Sequence, residues 1–140
     1  MSKNFEGNAG KLPWPVAQGV ITERFGPHEH PDLPGIIVNS EGVEITSNKG
    51  AVARSVFDGE VVQIREIEGV DGKIVILRHG EYLSVYYSLE NVYVQVGDKV
   101  KTKTEIGKVL TDENGKTELH LEIYKGKKLM NPEDWIASRN

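Results

Sequence analysis

The 140-residue chain carries 17 Lys and Arg against 21 Asp and Glu, a formal charge of −4, with 38% hydrophobic residues, 27% charged residues and no Cys. This is the size and composition of one folded domain, and it excludes general disorder, disulfide frameworks, thiolate zinc sites and thiol nucleophiles. Aliphatic runs such as residues 74–77 fall far short of the ~18 apolar residues that a membrane-spanning helix requires, and a mildly acidic chain without a Lys/Arg cluster lacks the basic face that nucleic acid needs.

In chain order, residues 1–12 have no apolar core of a signal peptide and read as a flexible lead-in, with the folded domain spanning 13–138. Leu12-Pro13-Trp14-Pro15 fixes φ twice and gives a stiff entry into that body. From Val20 onward, short runs rich in Val, Ile and Tyr recur between Gly, Asp and Asn, and no long window holds a 3.6-residue apolar period. Strands are predicted over 20–24, 43–46, 60–67, 73–79, 83–89, 92–94, 106–110 and 119–124. Gly69-Val70-Asp71-Gly72, His79-Gly80-Glu81-Tyr82 and Asp112-Glu113-Asn114-Gly115 are turn signals at hairpin distance, so neighbouring strands are expected to pair antiparallel. Near the end, Asn131-Pro132-Glu133-Asp134 combines an Asn cap, Pro at the first helical position and acids in the first turn, which predicts one short C-terminal helix. No internal repeat and no second domain boundary is present.

The strand over 119–124 carries the most information. With period two, Leu119, Leu121 and Ile123 form an apolar face, while Glu118, His120, Glu122 and Tyr124 form the other. By residue types alone, that second row is equally what a solvated sheet face would show.

Comparison makes it specific. Glu118-Leu119-His120-Leu121-Glu122-Ile123 resembles the His-x-His-Phe-Glu-Ile strand of the LytM domains, the M23 family of zinc peptidases that cut peptidoglycan cross-links. Other segments follow in order: Phe25-Gly26 with His30-Pro31; Ser40-Glu41-Gly42-Val43-Glu44-Ile45, where the family has His-x-Gly-x-Asp; and Gly50-Ala51-Val52-Ala53-Arg54 with Asp58-Gly59-Glu60-Val61. Next come His79-Gly80, Tyr86-Tyr87-Ser88-Leu89 in place of Tyr-x-His-Leu, Val96-Gly97-Asp98-Lys99-Val100, Glu105-Ile106-Gly107 and Asn131-Pro132. The resemblance spans about Trp14 to Trp135. It implies an all-β fold, a flattened antiparallel barrel-sandwich hybrid.

The resemblance also implies that the chemistry is lost. A hydrolytic zinc needs three protein ligands and an open position for water. The family's two His and one Asp ligands match Ser40, Glu44 and His120, and its two further His match Ser88 and Glu118. A carboxylate at Glu118 would oppose a developing oxyanion. No catalytic residue, cofactor or metal is therefore expected. A regrouped zinc site from Glu44, Glu118 and His120 is the peptidase alternative. His79 matches a structural position, and His28 and His30 lie in a Pro-rich loop.

Such a domain resembles the EnvC-type activators of cell-wall amidases. That implies a noncatalytic domain that binds and activates an N-acetylmuramoyl-L-alanine amidase and so regulates septal wall cleavage. The implied partner groove comprises Ser40, Glu41, Glu44, Tyr86, Ser88, Glu118, His120 and Tyr124, with Tyr86 and Tyr124 as anchors; each tyrosine also reads as an ordinary sheet-face residue. A noncatalytic peptidoglycan-binding module is the second reading. Biotinyl and lipoyl carrier domains share a similar flattened barrel, but no Lys here stands at a protruding hairpin with the carrier neighbourhood. The resemblance places the domain in the periplasm or cell envelope, as the C-terminal part of a longer exported protein, without membrane insertion of its own.

Overall fold

The computed structural model describes residues 2–30 and 32–138. Its elements are α1 (Ser2–Gly7), β1 (Val20–Glu23), β2 (Gly26–Glu29), β3 (Ile37–Ser40), β4 (Val43–Ser47), β5 (Val52–Arg54), β6 (Gly59–Glu66), β7 (Lys73–His79) and β8 (Tyr82–Val92). After these come β9 (Lys99–Val100), β10 (Glu105–Val109), β11 (Thr117–Lys125), β12 (Lys128–Met130) and a 3-10 turn over Pro132–Asp134. The main sheet runs β1-β4-β11-β8-β7-β6-β9, with β12 beside β11 and β10 bridging β5 and β8; β2 and β3 form a separate ribbon. All the pairings between these strands are antiparallel, as the hairpin turns require.

Alternation decides which side of the sheet packs. Val43 and Ile45 of β4, Val75 and Leu77 of β7, and Leu119, Leu121 and Ile123 of β11 are all fully buried in one core with Val61, Leu89 and Ile106. Each such side chain contributes ~1.5–3 kcal/mol on leaving water, so register is fixed by the core face and the opposite face of β11 is committed to its polar row. The turn into β4 depends on Gly42: a Cβ there would collide with the Leu121 carbonyl oxygen of the neighbouring strand. This close approach is what brings Glu44 abreast of His120.

Several elements differ from expectation. Residues 83–89 and 92–94 are not two strands, because β8 runs unbroken to Val92, and residues 93–94 lie beyond it. β2, β3, β5, β9 and β12 are two to four residues long, too short to show an apolar period, and β2 contains a Pro. Residues 2–12 are not a loose lead-in: Phe5 is fully buried, stacked on His79 at 5.0 Å and Tyr82 at 4.7 Å and tilted against Trp135 at 4.9 Å between centroids. Tertiary packing forms α1; a six-residue helix with one large apolar side chain has no independent stability. The C-terminal helix is one 3-10 turn, capped as expected by Asn131 Oδ1 accepting from Glu133 N at 3.0 Å. It stops because Trp135 and Ile136 turn into the core, where Ile136 bridges Leu12. Pro31 of the His30-Pro31 pair lies outside the described residues.

Candidate functional site

The polar row of β11 is built around one imidazole. His120 pairs with Glu44 on one side and Tyr87 on the other. Its Nδ1 lies 2.6 Å from Glu44 Oε1 and its Nε2 2.8 Å from Glu122 Oε2, and its ring meets Tyr87 edge-on at 4.9 Å. Burial opposes charge on this ring, but the hydrogen bonds to Glu122 and Glu44 outweigh it and lift the pKa to about 9. At neutral pH the ring is an imidazolium donating both N–H groups.

Glu122 is the second centre. It is 3% exposed and takes donors from three directions: His120, Tyr124 OH at 2.8 Å and Tyr87 OH at 3.1 Å. Burial would raise its pKa, yet His120 and Tyr124 hold it below the ordinary carboxylate value. A buried carboxylate needs such partners, since leaving one unpaired costs several kcal/mol. The same charge acts back on the phenols: Tyr87, raised by burial and by Glu122, reaches about 12, and Tyr124 is raised for the same reasons. Glu41, in the β3–β4 turn, is exposed and acts on both tyrosines through its charge.

The remaining expected residues fall on either side of this cluster. Ser40 donates its hydroxyl to the Gly42 carbonyl at 2.9 Å, locking the turn before β4. Glu118 lies two pairs along from His120, opposite Thr46, with its carboxylate 3.4 Å from Thr46 Oγ1 and 3.6 Å from Lys116 Nζ. Ser88 takes φ +71 where the β7–β8 register slips, and none of its hydrogen bonds joins the cluster. Tyr86, expected as an anchor of a surface groove, is instead fully buried, because at β8 the residue facing His120 is Tyr87.

Tyr86 instead belongs to a buried polar chain. Its hydroxyl accepts from Val56 N at 3.1 Å and lies 2.9 Å from Ser84 Oγ, which lies 2.7 Å from His79 Nε2. His79 Nδ1 donates to the Asp58 carbonyl at 2.7 Å, and burial lowers its pKa, so the ring is neutral and structural.

Tyr87 and Glu122 are the site residues the sequence reading left out. Glu122 was already on the His120 face two residues on; Tyr87 is marked by cross-strand pairing, which no motif displays.

Zinc, which the family resemblance assigns to positions 40, 44 and 120, does not fit these side chains. The Ser40 hydroxyl is a poor zinc donor and is turned to a backbone carbonyl, and both His120 nitrogens are spent on carboxylates. Among the described residues, no three His, Asp or Glu are grouped as a cation would require.

Beside the cluster lies a groove of about 370 Å³ lined by the aliphatic side chains of Ile67, Ile74, Ile76, Leu83 and Val85, by Tyr87, Glu122 and Tyr124, and by Arg65, Gly126 and Lys127.

Comparison with known proteins gives the same setting. An uncharacterized protein of Neisseria meningitidis is 31% identical over 138 residues, 94% of this chain and 21% of its own length. Stage II sporulation protein Q of Bacillus subtilis is 38% identical over 100 residues, 66% of this chain and 35% of its own. Among solved structures, Csd3 of Helicobacter pylori superposes with TM-score 0.74 at 27% identity, covering 91% of this chain and 35% of that one. The chain thus spans about a fifth to a third of the length of the curated relatives it matches. The sequence profile of peptidase family M23 matches residues 38–132, and the chain belongs to that family.

Proposed function

We propose that this chain is a noncatalytic M23 domain that binds and activates a cell-wall N-acetylmuramoyl-L-alanine amidase in the bacterial envelope, and so regulates wall cleavage at division. The observation that carries the reading is the double engagement of His120 by Glu44 and Glu122. Of the side chains that would have to hold a metal, Glu44 and His120 bind each other and Ser40 turns to the Gly42 carbonyl, while the adjoining groove stays open to solvent and can take a ligand without reacting with it. Protein partnership is supported by a relative: stage II sporulation protein Q was solved in a complex with SpoIIIAH, a structure that superposes with TM-score 0.72 at 25% identity over 92% of each chain. An envelope setting is supported by another relative, named an outer membrane antigenic lipoprotein.

The test mixes the chain with a purified amidase and, separately, with purified peptidoglycan sacculi. A rise in amidase turnover with no intrinsic cleavage is expected. Retention on sacculi with no amidase effect replaces the reading by a peptidoglycan-binding module. Chelator-sensitive cleavage with stoichiometric zinc replaces it by a peptidase.

A further inference from the structure

A second hollow, of about 350 Å³, lies where the end of β4, β5 and the turn before β10 meet, and it shares no lining residue with the groove beside Glu122. Its size is that of a small-ligand site. Lys49, Arg54 and Lys103 line it against one carboxylate, Glu105, which leaves two positive charges in excess on a chain whose formal charge is −4. Arg54 is half-buried, with its Nε donating to the Trp14 carbonyl at 3.0 Å. Lys49 and Lys103 are exposed, and neither Nζ is ion-paired with a described carboxylate.

The backbone at Lys103 points the same way. Its φ is +69, in the left-handed region where a Cβ is strained and Gly is not. The turn that imposes this is held by Lys103 N donating to the Ser55 carbonyl at 2.8 Å and Thr104 N to the Lys101 carbonyl at 3.0 Å. A Gly would make the same backbone bonds without strain, so what Lys adds at this position is its side chain, which lines the hollow. Strain of this kind gathers at ligand sites.

The remaining wall selects the ligand. The Ser47 hydroxyl donates to the Gln18 carbonyl, and Asn48 Nδ2 donates to Gln18 Oε1 at 3.1 Å. The Gln18 amide N–H groups are then placed to donate and the Asn48 amide oxygen to accept, a pairing that hydroxyl groups, donors and acceptors at once, satisfy. Small residues, Ala17, Gly50, Ala51 and Val52, complete the lining, and no described aromatic ring is there for a nucleobase to stack on. A phosphate monoester carries nearly two negative charges at neutral pH, which matches the excess, whereas a carboxylate or a phosphodiester carries one.

We propose that this hollow binds a sugar phosphate, with the phosphate monoester among Lys49, Arg54 and Lys103 and the sugar hydroxyls on Gln18 and Asn48.

The probes are glucose 6-phosphate, glucose, inorganic phosphate and glycerophosphoglycerol, the diester form that lipid headgroups and wall polymers present. Binding to the chain is read by calorimetry in a phosphate-free buffer. Glucose 6-phosphate is expected to bind at one site, about fivefold or more tighter than inorganic phosphate or the diester, with affinity falling as salt rises and with no binding of glucose. Lys49→Glu and Lys103→Gly are each expected to weaken it about tenfold. Lys103→Gly is also expected to hold or raise the melting temperature, because it relieves the left-handed residue; a melting temperature that falls with the affinity makes Lys103 structural and overturns its assignment. Equal binding of glucose 6-phosphate and inorganic phosphate, equal or tighter binding of the diester, parental affinity in both variants, or no saturable binding overturns the proposal.

Discussion

His120 should carry its proton through neutral pH, and the protein's stability should record it. The folded pKa of about 9 stands above the ordinary 6.5. For a raised value, the stabilisation is complete below 6.5 and is lost as the pH climbs through about 9. At ~1.4 kcal/mol per pH unit, that interval corresponds to about 3 kcal/mol, held by a side chain only 17% exposed and so weakly screened. Glu122 sets the other limb: its lowered pKa makes its share present above 4.5 and lost as the pH falls through the folded value. The cluster is therefore strongest between about 4.5 and 6.5. His120→Gln keeps a hydrogen-bonding side chain but removes the cation between two carboxylates. Denaturant unfolding of both proteins from pH 5 to 9.5, with an imidazole NMR titration of the parent, measures the effect. The stability gap should be about 3 kcal/mol at pH 6 and shrink steadily above pH 7. An imidazole titrating at or below 6.5, or a gap independent of pH, refutes the reasoning.

Other outcomes follow from the packing. Tyr124→Ala should lower amidase stimulation while costing only about 1 kcal/mol in unfolding, for one donor lost to Glu122; a molten variant would place the residue in the core. Tyr86→Phe should leave stimulation intact and destabilise by about 1–2 kcal/mol, because the Val56 N–H loses its buried acceptor. Phe5→Ala should cost about 3 kcal/mol and expose Trp135 to solvent, seen as a red-shifted, quenchable emission. Equimolar zinc should leave the melting temperature unchanged, whereas a real site saturated a hundredfold would add about 2.7 kcal/mol.

How much of this was legible depended on length and burial. β7 was read to the residue and β11 nearly so, because long strands with one buried face repeat their period often enough to be seen. The same period placed Glu118, His120, Glu122 and Tyr124 together without any structure. The family resemblance, which puts Tyr86 in the groove with Ser88, failed at Tyr86 because Ser88 adopts a left-handed backbone and the register slips there. A motif preserves spacing along the chain but says nothing of a bulge that swaps the two faces. Phe5 was missed for a different reason: its partners Phe57, His79, Tyr82 and Trp135 are 52 to 130 residues away, and no local pattern records them.

The bridge between Leu12 and Ile136 has a mechanical consequence. The two segments run parallel, tied by Leu12 N to Trp135 O at 3.1 Å and Ala137 N to Leu12 O at 2.8 Å. Tension applied through both flanks of the domain pulls parallel segments in opposite directions, which shears these bonds together instead of unzipping them one by one. Stretching therefore meets a clamp before any strand of the sheet can peel away.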